Sequence, residues 1–257
     1  MEPDLSPEAH ARRASSFGGR ASDYDAERPG YPDEAIRWVL EPVAARTPLR
    51  LLDLAAGTGK LTAGLLRHSA DVVAVEPDTA MLAELRRALP GVRALAGAAE
   101  RIPLGDGSVD AVVVGQAMHW FDTGRAFAEM ARVLAPGGVA AGLWNFEDDR
   151  VPWVGGFREV SRGHVSFTQW AGHPRMVPSP EFPELEHRDF GHAQRRTAES
   201  LAANLATHSH VLVMREDERR ELIDHVLNFL RSTPETAGGE FDLPLITMAT
   251  RGVRPPS

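Results

Sequence analysis

Arg50-Leu51-Leu52-Asp53-Leu54-Ala55-Ala56-Gly57-Thr58-Gly59-Lys60 is the stretch that decides the fold. A short apolar run contains a carboxylate near its end, a loop of Ala and Gly follows, and apolar residues at helical spacing run from Leu61 to Leu66. Strand, tight turn and helix in that order open an α/β nucleotide-type site. Small residues let the main chain approach a ligand closely, and Gly57 and Gly59 are free to take positive φ. The helix behind them directs unpaired N–H groups at a negatively charged part of the ligand. The plain alternative is a structural βα turn. A dinucleotide fingerprint has a third Gly where this chain has Thr62, and Asp53, four residues before Gly57, would repel a pyrophosphate. A carboxylate in that place suits a ligand carrying an ammonium group.

The pattern continues downstream. Asp71-Val-Val-Ala-Val-Glu76-Pro77-Asp78 is an apolar strand ending in an acid, nineteen residues beyond Gly57. An acid at about that distance suits ribose hydroxyls, and a carboxylate accepts from both. Glu76 is therefore expected as the ribose ligand. Thr79–Leu89 reads as a helix, with Met81 either on an adenine face or in the core. Val92–Leu95 reads as the third strand, and Gly105–Ser108 as a turn. Val109–Val114 is a near-continuous apolar run, as in a buried parallel strand. It leads to Gly115-Gln116-Ala117-Met118-His119-Trp120-Phe121-Asp122. Ligands of open α/β sheets lie beyond the carboxyl ends of the strands. Gln116 is thus expected in the cofactor pocket, and His119 and Trp120 on the substrate side. His119 either orients or deprotonates a substrate, its ordinary pKa being near neutrality, or it fixes a turn. A helix over Thr123–Leu134, a turn at Ala135–Gly138 and a fifth strand over Val139–Trp144 follow.

D-L-A-A-G-T-G-K at 53–60, V-E-P-D at 75–78, G-A-A-E-R-I-P-L at 97–104 and L-A-P-G-G at 134–138 together resemble the class I S-adenosylmethionine (AdoMet) methyltransferases with a type 11 domain. The run from Gln116 to Asp122 and the Tyr24-Asp-Ala-Glu-Arg28-Pro29 segment are similar to a bacterial subgroup that includes trans-aconitate methyltransferase and other small-molecule enzymes. The resemblance covers residues 15–146 and is looser beyond them. It implies an α/β fold: a doubly wound, mostly parallel seven-stranded sheet with the last strand antiparallel, an N-terminal helical lid and an insertion after strand five. It implies AdoMet as cofactor and S-adenosylhomocysteine as product. Asp53, Ala55, Gly57 and Gly59 would cradle AdoMet, Glu76 would meet its ribose, Pro77 would also contact the cofactor, and Tyr24 and Arg28 would cover it. Relatives read G-D-A-E where this chain has Gly97-Ala98-Ala99-Glu100. Without that Asp, adenine falls to backbone groups near Ala98 and Ala99, or to Glu100, beside Met81. The activity implied is in-line methyl transfer to a small-molecule acceptor, the alternative being an AdoMet-binding protein with a regulatory or non-methylating role. A carboxylate acceptor needs no general base, whereas a phenol, amine or carbon acid does, and His119 is then the candidate.

Towards the N-terminus, Phe17, Ala21, Tyr24 and Arg28 share one helical face, and Pro29 and Pro32 stop that helix. Residues 1–16 are expected to be mobile. A second helix is expected over Asp33–Ala45, capped by Asp33. Residues 17–48 form the lid in this scheme, 49–146 the AdoMet-binding core, 147–210 the substrate-side insertion with strand six, and 211–257 a C-terminal helix and strand. The insertion carries Trp153, Phe157, Phe167, Trp170 and Met176. They either stand over the substrate mouth, with Trp153 and Trp170 as contacts, or form a satellite core. His164 and His173 lack metal-site spacing, so no metal is expected, and His208 and His210 lie in a polar segment. Glu184–Arg196 reads as strand six, Glu199–Ala206 and Asp217–Arg231 as helices, and Phe241–Arg251 as the last strand.

Composition bounds the partners. The chain has 257 residues, 43% apolar and 25% charged, which is ordinary for a globular protein. A net charge of −8 argues against a nucleic-acid partner. The absence of Cys removes disulfides and thiolate chemistry. No run of 18 apolar residues and a polar start point away from the membrane and to the cytoplasm. A monomer or homodimer acting on a small molecule is expected.

Overall fold

β1 (Arg50–Leu54), β2 (Asp71–Glu76) and β4 (Val109–Gly115) are short apolar runs buried on both faces over most of their length, and β3 (Arg93–Ala96), at the sheet edge, is buried only at Ala94. Such runs fit a parallel sheet covered by helices on both sides. The computed structural model, which describes residues 29–161, 167–170, 176–206, 211 and 214–255, places them in that setting. β5 (Leu134–Glu147) joins β4 in parallel, and β7 (Phe241–Val253) runs antiparallel between β5 and β6 (Leu185–Arg196). The seven strands follow the order β3-β2-β1-β4-β5-β7-β6.

Among the described residues four apolar clusters clothe the sheet, the smallest setting Leu82 and Leu85 against Ala74 and Ala94. On one face α1 (Asp33–Leu40) and α2 (Lys60–Leu65) pack Ile36, Val39 and Leu65 against Leu51, Val113, Leu143, Phe190 and Ala249. On the other face α4 (Thr123–Val133) packs Phe127 and Met130 against Leu52, Val112, Trp144 and Met248. The third cluster joins α5 (Pro152–Val160), α7 (Ala198–Ala206) and α8 (Glu216–Ser232) to Phe241, Leu243 and Leu245 of β7. Successive odd-numbered residues of β7 lie on one face of the sheet. Leu243 and Leu245 therefore meet the helical cluster and Ala249 the α1 cluster, with Thr247 on the seam between them.

Three local expectations change. The helix from Asp33 stops at Leu40 and tightens into a 3-10 turn, Glu41–Val43, instead of reaching Ala45. Pro42 has no N–H to continue the α-helical ladder, and the Trp38 carbonyl accepts instead from the Glu41 N–H and from Arg251 Nη1. Asp33 is not the cap: Pro32 holds that position, and Asp33 accepts from the His68 ring at 2.9 Å. Ala135–Gly138 is not a separate turn but a bulge inside β5. Leu134 stands opposite Val109 and Val139 opposite Ala111, so four residues arch out where β4 spends one. Gly137 takes φ 68° there, and a Cβ on Gly138 would lie 2.8 Å from the Ala135 carbonyl oxygen and 2.9 Å from that of Asp110.

The expected N-terminal helix with Phe17, Ala21, Tyr24 and Arg28, the expected mobility of residues 1–16, His164, His173, His208, His210 and the Trp170 side chain lie outside the described residues. Among the described residues no helix is long and apolar enough to cross a membrane.

Candidate active site

The loop after β1 bends through three left-handed positions: Ala55 at φ 58°, Gly57 at 57° and Gly59 at 96°. For Ala55 this conformation costs about 1–3 kcal/mol, which the surroundings must offset. Glu76, at the end of β2, supplies part of the offset. It is buried, its Oε2 accepts from the Gly57 N–H and its Oε1 from the Asp78 N–H, both at 2.8 Å. Burial pushes its pKa up, against the pull of those two amides. Each oxygen keeps a lone pair for a ligand hydroxyl. Met81 lies under the loop, since a Cβ on Gly57 would come 3.9 Å from its Sδ. Asp78 caps the helix α3 (Thr79–Ala88) by accepting from the Ala80 and Met81 amides.

Asp53 sits at the base of this loop, fully buried. Its Oδ2 accepts from the Thr62 hydroxyl at 2.5 Å, and its Oδ1 has no hydrogen-bond partner. Burial pushes its pKa up to about 7; the Thr62 hydrogen bond opposes that shift, and the negative charge of Glu76 adds to it. A buried carboxylate oxygen left without a donor is expensive, and such an atom calls for an explanation.

The remaining walls come from the loops after β3 and β4. The Ala98 carbonyl accepts from the Arg101 N–H at 3.1 Å, and Ala99 turns its side chain into the core on the α4 face. Glu100 Oε1 accepts from the Asp122 N–H at 2.9 Å and so ties the two loops together. Pro77 is exposed next to Glu76. Gln116 takes φ 59°, donates its N–H to the Leu143 carbonyl and donates Nε2–H to the Asn145 carbonyl at 3.0 Å. His119 is exposed on a single 3-10 turn, Met118–Trp120, its ring centroid 4.7 Å from that of Trp120. Trp153 corrects an expectation. It is not a substrate contact but a buried member of the α5–α7–α8 cluster, edge-on to Phe241 at 5.5 Å. An apolar indole on the inner face of an amphipathic helix goes to the core it can fill.

An uncharacterized methyltransferase of Mycobacterium tuberculosis (strain ATCC 25618 / H37Rv) is 42% identical to this chain over 238 residues, 92% of this chain and 94% of that protein. This chain belongs to the methyltransferase family. A family model described as a methyltransferase domain matches residues 52–142 of this methyltransferase, the span from β1 into β5. A Schizosaccharomyces pombe methyltransferase-like protein is 33% identical over 215 residues, 80% of this chain and 82% of its own length. A solved structure described as a type II methyltransferase from Anaeromyxobacter dehalogenans superposes with a TM-score of 0.68 at 29% identity, covering 90% of this chain and 99% of that one. A phosphoethanolamine N-methyltransferase of Haemonchus contortus, solved with S-adenosylhomocysteine, shares the fold at a TM-score of 0.54 and 14% identity, over 98% of this chain and 60% of that one.

Sequence reasoning missed a polar row in this enzyme that runs across β5, β7 and β6. Asn145 Nδ2–H donates to the Gly30 carbonyl at 3.0 Å, the Thr247 hydroxyl donates to Asn145 Oδ1 at 2.5 Å, and the His192 Nε2 lies 3.0 Å from the same hydroxyl. Tyr31 lies alongside, its hydroxyl 2.5 Å from where a Cβ on Gly115 would be. The signal was present in outline. Asn145 interrupts the apolar run Gly142-Leu-Trp-Asn-Phe146, and Thr247 interrupts Leu245-Ile-Thr-Met-Ala249. Nothing local says that the two interruptions face each other.

Proposed function

We propose that this methyltransferase binds AdoMet in the crevice above β1, β2 and β4 and methylates a small-molecule acceptor. The observation that carries the reading is Asp53, a fully buried carboxylate with one oxygen unpartnered at the base of a left-handed loop. The residues fit the cofactor's groups. Asp53 would answer the ammonium, whose charge would relieve the penalty that now raises the carboxyl's pKa. Gly57 keeps a side chain out of the ligand's path, Gly59 lets the loop pack on Leu85 and Leu89, which a Cβ there would meet at 3.1 and 3.0 Å, and Glu76 would accept from the ribose hydroxyls with its spare lone pairs. Met81, Ala98, Ala99 and Glu100 flank the place for adenine, with Gln116 across from them.

AdoMet, when bound, supplies an electrophilic methyl group on a sulfonium. The chain's own part is proximity and orientation, holding an acceptor in line with that methyl. His119 and Trp120 belong to the acceptor side of this proposal. A net charge of −8 favours a small molecule over a polyanion.

Titration calorimetry with AdoMet and S-adenosylhomocysteine tests the reading. Dissociation constants on the order of micromolar, about −8 kcal/mol, are expected. No heat and no thermal shift with either ligand would overturn it.

A further inference from the structure

We propose that His192 is the general base of this enzyme, taking the acceptor's proton at Nδ1, and that the acceptor is an uncharged O–H nucleophile of the phenol or enol class. The proposal rests on the AdoMet-dependent reading above.

The direction of each hydrogen bond in the polar row follows from the one before it. The Gly30 carbonyl can only accept, so Asn145 must present its NH2 there and its Oδ1 to Thr247. A hydroxyl has one hydrogen, and Thr247 gives it to Asn145 Oδ1. The remaining contact of that hydroxyl must then be received, so His192 Nε2 carries a hydrogen and donates it. A neutral imidazole with its hydrogen on Nε2 has a bare lone pair on Nδ1. A main-chain carbonyl thus fixes the tautomer of a histidine through two intervening side chains. Burial lowers the His192 pKa, which favours the neutral form that a base needs.

The position is as informative as the tautomer. Asn145, Thr247 and His192 lie on the same face of the sheet, on the seam between the α1 cluster and the helical cluster. Thr247 is fully buried, whereas Asn145 and His192 are partly open. Gln116 binds the Asn145 carbonyl, so the row begins beside the cofactor crevice. β7 stands two strand spacings from β4, roughly 10 Å, and His192 reaches back to it. Among the described residues, every hydrogen bond of these side chains goes to a neutral group. Such a row offers no cation to hold an acceptor carboxylate, and it offers a lone pair to an O–H. In the step itself the acceptor O–H bond breaks with its electron pair left on oxygen, and the proton goes to Nδ1. The oxygen pair forms the new bond to the methyl carbon, while the carbon–sulfur pair leaves with sulfur. The imidazolium formed still donates from Nε2 to Thr247.

The test uses the full chain with nitrogen-15-labelled histidine, and His192→Gln, whose amide can still donate to Thr247. Long-range proton–nitrogen correlation should show His192 protonated at Nε2 and bare at Nδ1. Thr247→Val should mix the two tautomers and Thr247→Ser should not. With the chain saturated in S-adenosylhomocysteine, millimolar phenol should shift the Nδ1 resonance and benzoate should not. With AdoMet and phenol, S-adenosylhomocysteine release should be about 10²–10⁴-fold slower in His192→Gln than in wild type, with cofactor affinity and thermal stability unchanged. A hydrogen on Nδ1, a response to benzoate alone, no response to phenol, or release that is absent or equal in both proteins would overturn the assignment. Absence of cofactor binding in calorimetry would instead sink the AdoMet reading, and the tautomer would still be readable on the ligand-free chain.

Discussion

At the residue scale, Asp53 carries a signature that can be measured without knowing the acceptor. Its carboxyl titrates near the usual 3.8 when the chain is unfolded and at about 7 when it is folded and ligand-free. Below the lower value both states are protonated and the group costs nothing. As pH rises towards 7 the unfolded chain ionises first, so stability is lost across that window. Asp53→Asn does not titrate and can still accept from Thr62. Its melting temperature should therefore exceed that of wild type by a margin that widens from about pH 4 to about pH 7 and then stays level, while AdoMet binding weakens. A constant margin in thermal scans would show that Asp53 is ionised throughout. Glu76→Ala removes the acceptor of two partly buried amides, and calorimetry should show cofactor affinity lower by about 1.5–3 kcal/mol. Gly57→Val places a β-branched residue at φ 57° and should cost about 1–3 kcal/mol of stability. It should also abolish the thermal shift given by S-adenosylhomocysteine, because the open space over Met81 would be filled. Asp53, Gly57, Gly59 and Glu76 were legible in the sequence because a βαβ unit is local: the acid and the loop it braces lie nineteen residues apart. Asn145, His192 and Thr247 were not, because they meet only through the order of strands at the far side of the sheet, 102 residues separating the ends of a single hydrogen bond.

At the scale of elements, the departures from expectation share one cause, which is that a neighbouring element finishes what the local sequence leaves undone. The helix Asp33–Leu40 ends before its apolar pattern does because Pro42 breaks the ladder, and β7 answers through Arg251. The guanidinium binds the Trp38 carbonyl, Glu41 and Glu186 and lies 4.3 Å over the Trp38 ring. Both carboxylates are well exposed, so the ion pairs themselves add little. The bond to the buried carbonyl and the ring contact remain, and Arg251→Met should cost about 2 kcal/mol. In thermal scans that is a fall of roughly 4–8 °C for a chain of this size. The bulge in β5 follows the same logic, with Arg46 donating to the Pro136 carbonyl at 2.7 Å from outside the strand. Gly138→Ala would drive a methyl into two main-chain carbonyls and should cost about 1–3 kcal/mol. From sequence alone, Ala135-Pro-Gly-Gly138 is a turn by composition, and only the pairing of Leu134 with Val109 reveals that the strand has already begun.

For the whole molecule, two carboxylates at opposite ends of the parallel strands pull the pH dependence of stability in opposite directions. Asp110 stands at the amino end of β4. Burial would raise its pKa, but hydrogen bonds from the Arg50 guanidinium and main chain, and from Arg46, outweigh burial and hold it at about 2. Its contribution, about 2 kcal/mol, is present above the unfolded value of 3.8 and is lost as pH falls towards 2. Asp53 loses stability on the other side of the same value. These two groups together predict a ligand-free chain most stable near pH 4, with stability already falling by pH 5. Asp110→Asn should flatten the acid limb in denaturant titrations and leave the neutral limb unchanged. The order β5-β7-β6 has a further consequence for how the protein is made. Ribosomal synthesis delivers β6 before the strand that fastens it, so the growing chain carries two raw strand edges, on β5 and β6, until residues 241–253 arrive. The crevice over β1, β2 and β4 needs none of those residues, whereas the row that ends at His192 has no Thr247 without them. On the proposed assignment, birth of the enzyme is ordered: a nascent chain can hold its methyl donor before it can use it.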